Sequence, residues 1–115
     1  MGENDNIPQM TPSFENICRK DENGNEYWSS RDLCGAMGYS AYWKFQRVID
    51  KAIKVAGEKG MNVDEHFNQA VDMVRIGSGS FRKVNIFRLS RMACMIVAEN
   101  ADAQKVLVQQ ARDYF

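Results

Sequence analysis

The chain has 115 residues, 44% of them apolar, and its 15 basic and 15 acidic side chains leave no net charge. That length fits one domain, which buries roughly two-thirds of its unfolded surface around a single core. The apolar content excludes a disordered chain, and no apolar run approaches the ~20 residues of a membrane helix.

Residues 1–12 are polar and carry Pro8 and Pro12. They read as a disordered arm, not a signal peptide, ahead of one domain over 13–115. Phe14 to Trp28 reads as a β-hairpin around Asn23-Gly24, a pair suited to a two-residue turn with φ > 0 at both positions. Ser29 with Asp32 resembles a capping box, opening a short helix to Met37 that stops at Gly38. Ser40 is a candidate N-cap for a longer helix to about Ala56, ended by Gly57 and Gly60. Tyr42, Phe45, Ile49, Ala52, Ile53 and Ala56 share one face of it, and Lys44, Arg47, Lys51 and Lys54 share another.

Asp64 to Phe67 fits one helical turn. Ala70 to Ile76, the flexible turn Gly77-Ser78-Gly79-Ser80 and Phe81 to Phe87 form a second hairpin. Leu89, Met92, Ala93 and Ile96 then mark a helix face stopping near Asn100. Asp102 is the expected cap of a final helix with Ala103, Leu107, Ala111 and Tyr114 along one side. Val108 and Phe115 fall off that stripe, which makes a homodimer plausible. Two hairpins with four to five helices make an α+β domain.

Charge is segregated. Residues 1–32 carry a net of −4 and the remainder +4, and residues 75–91 hold Arg75, Arg82, Lys83, Arg88 and Arg91 with no acid. Zero net charge argues against a strong nucleic-acid binder but leaves room for a local basic surface. The stripe of Lys44, Arg47, Lys51 and Lys54 describes a solvent face as well as a row of phosphate contacts. Arg82 and Lys83 sit at the base of a hairpin that could project as a wing against a nucleic-acid backbone. Trp28, Tyr39, Tyr42 and Trp43 are core residues first and base-stacking residues second.

Chemistry-bearing residues are sparse. His66 stands alone, with Asp64 and Glu65 beside it in sequence but not facing it, and reads as structural. Cys18, Cys34 and Cys94 are odd in number and form no Cys-x-x-Cys, which points to a reducing compartment, the cytoplasm. Cys34 and Cys94 lie on apolar helix faces, the ordinary setting of buried free thiols. The glycine-rich turn lacks the Gly-Lys-Ser/Thr ending of a phosphate loop. No catalytic set, metal site or cofactor is expected.

Gly24-Asn25-Glu26-Tyr27-Trp28-Ser29-Ser30-Arg31-Asp32-Leu33, then Gly38-Tyr39-Ser40, resembles the start of the DNA damage-inducible protein D family. Phe45 with Val48-Ile49 and Ala52, Val63 to Phe67, Ile76 to Gly79, Leu89 to Cys94, Glu99 to Asp102 and Tyr114-Phe115 follow in the same order. Departures fall at Met92 and Met95, where aromatics are expected, and at Ala103, where proline is usual. In this region the family resembles the Bro-N domain of viral and phage proteins. The resemblance implies an N-terminal, non-enzymatic DNA-binding module of a bacterial SOS-response protein. Lys44, Arg47, Arg82, Lys83 and Arg91 become the expected contacts, with Lys51, Lys54 and Arg88 on the same elements. The rival expectation is a protein-interaction domain that modulates recombination proteins without touching DNA. The resemblance does not fix single- or double-stranded DNA.

Overall fold

The computed structural model describes residues 12–115, so the arm expected over 1–12 lies, but for Pro12, outside the described residues. The elements are α1 (Pro12–Asn16), β1 (Arg19–Lys20), β2 (Glu26–Ser29), α2 (Ser30–Ala36), α3 (Tyr42–Glu58), α4 (Val63–His66), β3 (Phe67–Arg75), β4 (Phe81–Leu89), α5 (Arg91–Asn100) and α6 (Val106–Tyr114). The four strands form one antiparallel sheet in the order β1-β2-β4-β3. The fold is α+β, as expected from the hairpins and amphipathic stretches.

The first hairpin is shorter than its sequence suggests, because Phe14 lies in α1 and not in a strand. Phe14 is buried, and its carbonyl accepts the Trp28 indole N–H at 2.8 Å. The turn is not the two-residue type. Asp21 N–H donates to Asn25 O at 2.9 Å and Gly24 N–H to Asp21 O at 3.0 Å, and Gly24 has φ +84° while Asn23 keeps a negative φ. The second hairpin repeats this geometry. Ile76 N–H donates to Ser80 O, Gly79 N–H donates to Ile76 O, and Gly79 has φ +88°. Both are three-residue loops closed by a left-handed glycine.

Helix boundaries follow local chemistry with three shifts. Ser29 caps α2 by accepting Arg31 N–H, but Asp32 turns outward to Arg19 at 2.7 Å and completes no capping box. α3 starts at Tyr42 with Ala41 as an uncapped N-cap, so Ser40 does not serve, and it runs through Gly57 to Glu58. The last helix starts at Val106, after Lys105 and not Asp102. Its inner face carries Val108 and Ala111, both fully buried. Phe115 packs edge-on to Trp28 at 5.0 Å. Val108 therefore belongs to the core, and Phe115, half-buried, packs against it.

The core lies where α3 buries Phe45, Ile49, Ala52 and Ala56 against α5, which contributes Ala93, Cys94, Ile96, Val97 and Ala98. Arg112 of α6 closes the end of α5 by donating to the carbonyls of Ala98 (2.9 Å), Glu99 (3.1 Å) and Ala101 (3.5 Å), groups a helix end leaves without partners. Phe14, Trp28, Tyr114 and Phe115 form one aromatic cluster that ties α1 and β2 to the C-terminal end of α6.

Candidate nucleic-acid interface

β2 pairs with β4 only at Trp28↔Leu89 and Ser29↔Arg88, whereas β3 pairs with β4 over nine positions. Past that short junction α2 takes over the free edge of β4, with Ser30 Oγ accepting Phe87 N–H at 3.0 Å and Arg31 Nε donating to Asn85 O at 3.4 Å. Beyond Asn85 the β3–β4 ribbon, here called the wing, has no further strand paired to it, although Arg19 reaches Asp72 at 3.2 Å and Val84 stays buried. Side chains alternate along a strand and directly opposed residues share a face. One face therefore carries Asp72, Val74, Arg82, Val84 and Ile86, with Val84 and Ile86 buried. The other carries Val71, Met73, Arg75, Phe81, Lys83 and Asn85, all exposed.

Arg82 and Lys83 are both exposed, next to the turn at the tip of the wing and not at its base. As neighbours in a strand they point to opposite faces, Arg82 beside Val74 and Lys83 beside Met73. Lys44, Arg47, Lys51 and Lys54 are exposed on α3, opposite its buried Phe45–Ile49–Ala52–Ala56 stripe. None of these six cations has an ion-pair partner among the described residues. Wing and helix meet in a groove lined by Tyr42 and Gln46 from α3 and by Gln69, Asn85 and Phe87 from the ribbon.

Arg88 and Arg91, expected on the same surface, are turned to intramolecular partners. Arg91 donates from Nε to Glu26 at 2.8 Å and from Nη2 at 3.3 Å. Its guanidinium lies 5.0 Å from the Trp28 ring centroid and 5.2 Å from that of Tyr114. The Glu26 hydrogen bonds hold Arg91 above its ordinary pKa, and the Arg91 hydrogen bonds hold Glu26 below its own. Arg88 stacks on Tyr27 at 4.9 Å and approaches Glu22 at 3.6 Å. Arg19 similarly bridges Asp32 and Asp72 at 2.7 and 3.2 Å. Glu22 and Glu26 of the first hairpin thus face cations of the chain itself, while Asp21 accepts the backbone N–H groups of Asn23 and Asn25.

His66 Nδ1 meets Ser90 Oγ at 2.7 Å, and the same oxygen accepts Ala93 N–H as the N-cap of α5. The contact joins the start of β3 to the start of α5, the structural work expected of this histidine. Cys34 and Cys94 are buried, and burial pushes both thiols above their ordinary pKa. Among the described residues all three cysteines are free and no group of His, Cys, Asp and Glu is arranged to hold a metal ion. None of their helices is long and apolar enough to cross a membrane.

Of the sequence's aromatic cluster, Trp28 is fully buried and Tyr39 and Tyr42 pack at 5.1 and 6.5 Å from the Phe45 ring. Trp43 alone stands out, 61% exposed with Lys44 Nζ 5.5 Å from its ring. Phe81 has the same character and escaped the sequence reading. It is 58% exposed, with the Arg75 guanidinium 5.9 Å away. Its alternation with Lys83 and Asn85 was the available signal.

A protein from Escherichia coli (strain K12) described as DNA damage-inducible protein D is 38% identical to this chain over 102 residues. The match takes in 89% of the chain but 37% of that relative, so the chain spans about a third of the relative's length. No family model matches the chain, and no solved structure does. The Bro-N likeness accordingly rests on the sequence motifs alone.

Proposed function

Because the chain belongs to the family of DNA damage-inducible protein D, we propose that it is a non-enzymatic DNA-binding domain acting in the bacterial SOS response to DNA damage, in the cytoplasm. Lys44, Arg47, Lys51 and Lys54 of α3 and Arg82 and Lys83 of the wing contact the nucleic-acid backbone. One observation carries the reading: Lys44, Arg47, Lys51 and Lys54 of α3 and Arg75, Arg82 and Lys83 of the wing are all exposed with no acid partner among the described residues, whereas Arg19, Arg88 and Arg91 face acids of the first hairpin, α2 and β3. Unpaired cations gathered on two adjoining elements suit a polyanion, and each phosphate they neutralise steepens the salt dependence of binding by roughly 0.7–0.9. The free thiols fit a reducing compartment.

The test is DNA binding by this chain at low and rising salt, with Arg82→Ala/Lys83→Ala beside the unaltered protein. The reading expects binding that weakens with salt and falls in the variant. No binding at low salt would sink it, as would binding indifferent to both substitutions.

The second reading, an interaction domain for recombination proteins, has its own support. Asp21, Glu22, Glu26, Asp64 and Glu65 line one cleft, an acid-rich surface shared with Arg88 and His66. Charge reversal at Asp21 and Glu22, followed by pull-down with a recombinase filament, separates the two. Loss of filament capture with DNA binding intact favours the interaction domain.

A further inference from the structure

We infer that the outer face of the wing and the start of α3 form a stacking track for unpaired bases, so that the nucleic acid taken is single-stranded. The inference rests on the DNA-binding reading above and narrows it to a substrate class. Cations alone do not discriminate between strands, because phosphates are common to both. The exposed apolar side chains beside them do.

Phe81, Met73 and Val71 are 58%, 51% and 58% exposed along the outer part of this face, towards the wing's tip. In register they alternate with cations, Phe81 opposite Arg75 and Met73 opposite Lys83, followed by Val71 opposite Asn85. No acid interrupts this face. It leads into the groove of Gln69, Asn85, Phe87, Tyr42 and Gln46. Trp43 lies one residue beyond Tyr42, about 100° further round the helix, and so on the outer rim of that groove. From Phe81 to Phe87 the track extends roughly 20 Å at ~3.3 Å per residue. At each end stands an exposed aromatic ring beside a cation, Phe81 with Arg75 and Trp43 with Lys44.

A ring of this kind binds the π-face of a base. In a duplex that face is covered by the neighbouring base pairs, and reaching it requires unstacking. In a single strand it is free, and the backbone stays within reach of flanking cations. The carboxamides of Gln69 and Asn85 add hydrogen-bonding groups between the two platforms.

The experiment measures fluorescence anisotropy with a 20-nucleotide oligothymidylate and with a 20-base-pair duplex of mixed sequence. It compares the unaltered chain with Phe81→Leu, Trp43→Leu and Arg82→Ala/Lys83→Ala, each checked for fold by circular dichroism. Phe81→Leu keeps every charge. It is expected to weaken oligothymidylate binding about tenfold, leave the salt slope unchanged and leave duplex binding within about twofold. The charge variant weakens both. Of the two tryptophans only Trp43 is exposed, so oligothymidylate also quenches intrinsic fluorescence in the unaltered chain and not in Trp43→Leu. Equal losses on both DNAs, or oligothymidylate binding untouched by Phe81→Leu and Trp43→Leu, overturn this inference and leave the DNA-binding reading standing. Absence of binding to either DNA overturns both.

Discussion

Replacing Arg91 with alanine separates a structural cation from a DNA contact. Its guanidinium is shared among Glu26 at 2.8 and 3.3 Å, the Trp28 ring at 5.0 Å and the Tyr114 ring at 5.2 Å. Both members of the ion pair remain partly exposed, 43% and 38%, so solvent screens it and it contributes ~0.2–1 kcal/mol. Each cation–π contact adds about 0.5–1 kcal/mol at such a site. Together Arg91→Ala costs about 1–3 kcal/mol, a drop of roughly 5–12 °C in Tm for a chain of this length. Thermal melting by circular dichroism reads the loss, and DNA titration at a temperature where both proteins are folded reads the binding. The expectation is a lower Tm with DNA affinity within twofold. A Tm unchanged by the substitution, with affinity down tenfold, would refute the assignment of Arg91 to the interior network.

The same pair gives a pH signature. Glu26 has a folded pKa below its unfolded value, so its stabilisation is present above about pH 4.3 and is lost as pH falls through the folded value. Urea melts across that window should show Glu26→Gln flattening the acid loss relative to the unaltered chain. Gly79→Ala forces a side chain into φ +88° and should cost about 1–2 kcal/mol by the same melts, although open space surrounds the site. Arg112→Met removes the donors that close α5 at Ala98, Glu99 and Ala101, and should cost about 1.5–3 kcal/mol in chemical denaturation. Cys94 is fully buried with its thiol pKa raised by desolvation, so a thiol reagent at neutral pH should label it only on unfolding, after the half-buried Cys18.

What the sequence disclosed was local. Gly24, Gly38 and Gly79 mark turns because their backbones adopt positive φ. The α3 stripe marks the core because a 17-residue helix gives the 3.6-residue period room to declare itself. Errors arose where an element was too short or a start was displaced. Phe14 read as strand because α1 has five residues and little periodicity, with Pro12 at its first position the overlooked signal. Asp102 resembles a cap because its carboxylate accepts Gln104 N–H, but it closes a turn ahead of the helix, which starts at Val106. Val108 and Ala111, three residues apart, share the buried side of that helix. The candidate site was half legible for a related reason. Exposure of Lys44, Arg47, Lys51 and Lys54 follows from helical spacing. The capture of Arg91 by Glu26, 65 residues earlier, follows only from the pairing of distant strands and helices.

Chemical-shift mapping of the isotope-labelled chain against a short DNA strand tests the central claim most directly. The account predicts shifts concentrated at residues 43–54 and 71–85, with the first hairpin, Arg88, Arg91 and the Tyr114-Phe115 cluster unmoved. Shifts confined to the Asp21–Glu26 hairpin and the Arg91 network, or no shifts at low salt, would contradict it.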